Sequence, residues 1–132
     1  MATTPGRLSP DALDFLRERH LATLTSIRPD GSPHVVPVGF TWDHERRLAR
    51  VITDGASKKA RLATTGGRVA LCQTAGRRWL TLEGTSTVSD DPARVAEAVT
   101  RYTERYRTPR ENPTRVVIEI DVHRILASSD LL

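Results

Sequence analysis

Hydrophobic and polar positions alternate with two periods along this chain, and the switch between them marks the elements. Ser9, Pro10 and Asp11 open a helix: Ser caps, Pro suits the first helical position, and Asp faces the positive helix end. Leu13, Phe15 and Leu16 form its apolar side, and the helix is predicted to end near His20. Residues 21–27, rich in Leu and Thr, then read as a strand. Arg28-Pro-Asp-Gly31 is a turn, and residues 35–42 pair back as a hairpin that Pro37 interrupts. A turn at 43–47 leads to a strand over 48–53, and residues 59–63 form a short helix that Gly66 and Gly67 end. Residues 69–74 and 79–88 form the next hairpin. In its second strand Leu80, Leu82, Ser86 and Val88 face one way, and Thr81, Glu83, Thr85 and Thr87 the other. Asp91 and Pro92 start a second long helix, with Val95, Val99, Tyr102 and Tyr106 as an apolar stripe for core or dimer contact. After a loop over 108–113, Val116, Ile118, Ile120 and Val122 alternate with Arg115, Val117, Glu119 and Asp121. This last strand bends near His123 and runs on to Ala127. About six antiparallel strands in hairpins, with helices between them, predict an α+β, mainly antiparallel β-barrel, closed or partly closed.

The 132 residues make one domain, with a polar start over 1–7 expected to fray. No apolar run has transmembrane length and no signal-peptide pattern is present. The single cysteine, Cys72, lies in a strand and is expected to be a buried structural thiol, which fits a reducing cytoplasm.

Charge narrows the partners. The formal net charge of +4 favours anions, but the basic residues are spread out and the six aromatic residues form no base-stacking platform. Nucleic-acid binding is therefore not expected. Arginine occurs 18 times and lysine twice, as the adjacent pair Lys58 and Lys59. The pair follows a strand and Ser57 and opens the short helix, a pattern that suits an anion and equally a solvated charge pair. The four histidines, at 20, 34, 44 and 123, have no metal-ligand spacing with one another or with Cys72. Nucleophile-elbow, phosphate-loop and dinucleotide motifs are absent. A chain without an evident acid, base or nucleophile suits a cofactor that carries the chemistry itself.

The order of short motifs carries a resemblance over nearly the whole chain. They are Arg19-His-Leu-Ala22, Asp30-Gly-Ser-Pro-His-Val-Val36, Val38-Gly-Phe-Thr41, Ala49-Arg-Val-Ile-Thr53, Ser57-Lys-Lys-Ala60, Leu71-Cys-Gln73, Arg78-Trp79, Leu82-Glu-Gly84, Arg105-Tyr-Arg-Thr-Pro-Arg110 and Arg115-Val-Val-Ile-Glu119. In this order the chain resembles the flavin/deazaflavin oxidoreductase branch of the pyridoxamine-5'-phosphate-oxidase-like split β-barrels. The resemblance implies a homodimer with cofactor sites at the interface. It implies hydride transfer from reduced deazaflavin coenzyme F420 to a conjugated tetrapyrrole, biliverdin to bilirubin. FMN in place of F420, or binding without catalysis, remain alternatives. It places His34, Val35, Val36, Pro37 and Val38 along the deazaflavin ring, and Thr53, Ser57, Lys58 and Lys59 at the phosphate and side chain. Gln73, Arg78 and Trp79 approach from the following hairpin, and Arg107 and Arg110 suit the propionates of the substrate. Lys58 stands where such proteins tend to be neutral. The chain ends at Leu132 without the C-terminal extension of true pyridoxamine phosphate oxidases, so their activity is not expected.

Overall fold

A computed structural model describes residues 2–132. Eight strands, three α-helices and two 3-10 turns follow one another: β1 (Ala2–Thr3), α1 (Pro10–Arg17), β2 (Ala22–Ile27), β3 (Pro33–Val38), β4 (Thr41–Asp43), β5 (Leu48–Asp54), α2 (Lys58–Ala63), β6 (Arg68–Ala75), β7 (Arg78–Ser89), α3 (Pro92–Arg105) and β8 (Arg115–Ala127), with the 3-10 turns at Pro5–Arg7 and Ser129–Leu131. All strand pairs are antiparallel, in the order β3-β2-β6-β7-β8-β5-β4. The two end strands of that order, β3 and β4, are consecutive in the chain and joined by Gly39 and Phe40. The sheet therefore curls on itself and is closed by the covalent chain, not by a ladder. β4 pairs only with the Leu48, Ala49 and Arg50 part of β5, which leaves Val51 to Asp54 with a ladder to β8 alone. The seam of the barrel lies there, facing β3.

The interior follows the alternation. Leu24, Phe40, Leu71, Leu80, Leu82, Ile118, Ile120 and Ile125 fill it, and Phe15 of α1 plugs one end. Ser9 caps α1 by accepting from the Ala12 N–H at 3.0 Å, and its hydroxyl donates to the Leu131 carbonyl at 2.6 Å. The β7–β8 ladder shifts register at Glu83/Gly84, opposite the bend expected at His123. Gly84 is required there, because a Cβ would stand 2.1 Å from the Asp121 carbonyl oxygen. Val117 and Glu119 do point opposite to Ile118, yet both are buried, because α3 packs over the outer faces of β4, β5 and β8.

Four expectations need correction. Pro37 does not interrupt its strand: β3 pairs through it, Pro37 opposite Thr23, because β3 is an edge and its other side needs no donor. The break falls at Gly39 and Phe40 instead. The start is not frayed over Ala2 to Arg7, since Ala2 and Thr3 pair with Leu126 and Ile125 and Pro5 is buried; Met1 lies outside the described residues. Helix α1 ends at Arg17, three residues before His20. Cys72 is only half-buried and faces outward, because Val69, Leu71 and Gln73 take the inward positions of β6.

Candidate functional site

At the seam the two unpaired edges open a cleft of about 290 Å³. Pro37, Val38 and Gly39 line one side, and Ile52, Thr53 and Asp54 the other. Lys59, Tyr102, Pro109, Asn112 and Arg115 complete the wall. Residues distant in sequence meet here only because the barrel closes through Gly39 and Phe40.

Local chemistry fixes each part. The Thr53 hydroxyl donates to Ser57 Oγ at 3.0 Å, and Ser57 Oγ accepts from the Ala60 N–H at 3.2 Å. The cap thus ties the first turn of α2, and Lys59 with it, to the end of β5. Asp54 accepts from the Ala56 N–H at 2.9 Å, from Asn112 Nδ2 at 3.4 Å and from the Thr114 hydroxyl. The Thr114 bond first, then the backbone and Asn112 bonds, hold the Asp54 carboxyl below its ordinary range. This knits the 108–114 loop to β5, and Arg115 donates to the Arg110 carbonyl. No carboxylate of the described residues lies within ion-pair distance of Lys59. With Arg115 beside it, the cleft carries two cations against one carboxylate, Asp54, which accepts three hydrogen bonds.

The opposite wall is held from α3. The Tyr106 hydroxyl donates to the His20 carbonyl at 2.6 Å and accepts from the Phe40 N–H at 3.2 Å. Arg105 donates to the carbonyls of Phe40 at 2.6 Å and Glu18 at 2.9 Å, and to Gln73 Oε1 at 2.6 Å. Its guanidinium also stacks 4.7 Å from the Phe40 ring. These bonds satisfy the backbone of the joint where no ladder exists.

The expected site residues divide. Pro37, Val38, Thr53 and Lys59 come together in the cleft, and Ser57 supports it as the cap of α2. Lys58 is exposed beside it. His34 and Val36 point inward from β3, Val36 onto the core. His34 has an unpartnered, buried Nδ1. Desolvation, with Arg28, Lys58 and Lys59 nearby, pushes the His34 pKa down and disfavours the charged ring. Val35 points outward and is 55% exposed. Gln73 is not at the cleft: it is fully buried, and its amide joins the Phe15 carbonyl at 2.8 Å to Arg105, so both its polar ends are used inside the fold. Arg78 forms a two-pronged pair with Glu18 at 2.9 and 3.0 Å and lies 4.6 Å over the Phe15 ring, away from the cleft. The neighbouring Trp79 is half-buried, with its backbone bonded to Ser128. Arg107 and Arg110 are exposed on the segment that leads to Pro109 and Asn112. Sequence reasoning missed Gly39, Tyr102, Asn112 and Arg115 as lining residues. Tyr102 was indistinguishable from a core stripe, and Arg115 from an outward strand position.

The curled sheet and its seam cleft define a split β-barrel with an anion-suited groove. The chain belongs to the pyridoxamine 5'-phosphate oxidase family, whose model matches residues 8–129. It is 56% identical over 132 residues to a biliverdin reductase of Mycobacterium tuberculosis (strain CDC 1551 / Oshkosh) that depends on reduced F420, covering all of this chain and 96% of that one. Among solved structures, an F420 reductase superposes with a TM-score of 0.68 at 25% identity, covering 87% of this chain and 94% of that chain. The conserved hypothetical protein Rv2991 of Mycobacterium tuberculosis shares the fold, with a TM-score of 0.75 at 23% identity over 87% of this chain and 80% of that one.

Proposed function

We propose that this protein is an oxidoreductase that uses reduced F420 to convert biliverdin to bilirubin. The observation that carries the reading is the seam cleft itself, where Pro37, Val38, Thr53 and the unpaired Lys59 meet. The 56% identity to a reduced-F420-dependent biliverdin reductase supports the choice of coenzyme and substrate. When bound, the reduced deazaflavin supplies the hydride. The chain's own residues bind and orient. Lys59, with Ser57 behind it, would hold the phosphate, and the apolar Pro37 and Val38 would face the ring. Arg107 and Arg110 are free to approach propionates from the rim.

A cleft of about 290 Å³ is small for a whole coenzyme and a tetrapyrrole. We infer that a second copy completes the site. The outer face of the barrel supports this: Ile27 of β2 and Val35 of β3 are 51% and 55% exposed, and a groove of about 530 Å³ runs from Ile27 over β2, β6, β7 and β8. Arg78 and Trp79, at the tip of the β6–β7 hairpin, would reach the partner's cleft.

The test is turnover. Purified protein mixed with reduced F420 and biliverdin should form bilirubin with one coenzyme oxidised per bilirubin formed. Coenzyme binding with no bilirubin would contradict the catalytic reading.

A further inference from the structure

Arg50 is 3% exposed and lies on the outer face of β5 beneath α3. Its Nη1 donates to Asp43 Oδ2 at 2.9 Å, but its Nε finds no acceptor among the described residues. A buried donor without an acceptor is costly, and a guanidinium cannot escape the cost by losing its proton.

The carboxylates around it are already engaged. Asp43 also takes Arg101 at 3.3 Å and the Arg46 N–H at 3.1 Å. Glu119 pairs with Arg94 at 2.6 Å, and Glu97 with Arg101 at 3.2 Å. Four arginines thus stand against these three carboxylates, with Asp91, the cap of α3, as a fourth that is itself bonded to the Arg94 N–H. A cavity of about 570 Å³ opens here, lined by Arg46, Leu48, Arg50, Arg94 and the two paired carboxylates Glu97 and Glu119, together with Ala93 in the first turn of α3. That turn starts a 14-residue helix; Asp91 caps it by accepting from the Arg94 N–H at 3.1 Å, and the Ala93 N–H remains beside the cavity.

We propose that this cavity is a second binding site, for an oxyanion group (carboxylate or phosphate) of a small solute. The fork of Arg50 provides the floor, Arg46 and Arg94 the walls, and the start of α3 the fourth side. The site is separate from the seam cleft: Arg50 and Asp54 are four residues apart on one strand, roughly 13 Å. It goes beyond the reductase reading and does not depend on it.

The test is a titration of the full-length protein with inorganic phosphate and, in parallel, with acetate. Ionic strength is held constant with chloride, and backbone amide NMR is the readout. Saturable shifts are expected at Arg46, Leu48, Ala93 and Arg94, and the tighter of the two anions names the ligand class. Arg46→Ala should weaken binding at least about fivefold, and Arg50→Lys, which keeps the charge but loses the fork, by more. Should Arg50→Lys not fold, Ala93→Asp decides instead. It suits the helix start but sets a like charge at the mouth, and should abolish binding. Lys59→Ala should leave these shifts unchanged. Shifts that do not saturate, or that survive Arg46→Ala and Ala93→Asp, would overturn the proposal. So would saturable binding lost in Lys59→Ala, because the anion would then belong to the seam cleft.

Discussion

Gly39 lies so close to Tyr106 that a Cβ at position 39 would stand 3.1 Å from the tyrosine Cε2. Tyr102 presses on the same point at 3.1 Å, and the two rings lie 4.9 Å apart. The joint that closes the barrel is therefore built around a missing side chain. Gly39→Ala should push both rings outward and destabilise the fold by about 1–2 kcal/mol. Because Gly39 and Tyr102 line the cleft, coenzyme affinity should fall as well. Denaturant unfolding and coenzyme titration of one variant check both effects.

Gly84→Ala is a harsher change. Its Cβ would meet backbone, 2.1 Å from the Asp121 oxygen, and backbone cannot swing away as a side chain does. A loss above about 3 kcal/mol is expected, enough to leave much of the protein unfolded or insoluble on expression. Wild-type stability by denaturant unfolding would show the bulge to be looser than drawn.

Acid should weaken the tie between α1 and β7. Hydrogen bonds from Arg78 and then His20 lower the Glu18 carboxyl from 4.5 to about 2. A carboxyl with a depressed folded-state pKa stabilises the fold above its unfolded value, and that stabilisation is lost as pH falls from about 4.5 towards 2. The melting temperature should drop across that window, and Arg78→Gln should flatten the drop. An unchanged acid profile in the variant would show that the pair contributes nothing.

The Ser57 cap gives a graded test of the cleft. Ser57→Ala removes the acceptor for both the Ala60 N–H and the Thr53 hydroxyl, at a cost of about 1 kcal/mol. Coenzyme binding should weaken more than this small loss of stability alone would produce, since Lys59 is no longer anchored. Calorimetric titration beside thermal melting separates the two.

The outer face gives the oligomer test. Val35→Glu and Ile27→Glu replace exposed apolar side chains without touching the core, so both variants should fold. Light scattering should find the wild type dimeric and the double variant monomeric. A monomeric wild type would remove the shared-site reading.

Much of the strand and helix order was legible, because alternation such as Val116, Ile118, Ile120 and the caps Ser9 and Asp91 act within a few residues. Inside and outside were harder. Cys72 and Gln73 are adjacent, and only the inward set of Val69 and Leu71 tells which of them faces the core. The burial of Glu119 depends on α3, which no local pattern assigns to that face. Of the cleft, the strand–Ser–Lys–Lys order left Lys59 open between an anion ligand and a solvated charge, and Thr53, Pro37 and Val38 came only from the family resemblance. Gly39, Tyr102 and Arg115 were readable from neither, since they join the site only when the two barrel edges meet.

The proposed function requires that the seam cleft bind F420 through Lys59. The most direct measurement is a titration of wild type and Lys59→Ala with oxidised F420, followed by tryptophan fluorescence, with FMN in parallel. Saturable F420 binding, weaker FMN binding and at least about a tenfold loss of F420 affinity in the variant are expected. Equal affinity in the two proteins, or a preference for FMN, would contradict the proposed function.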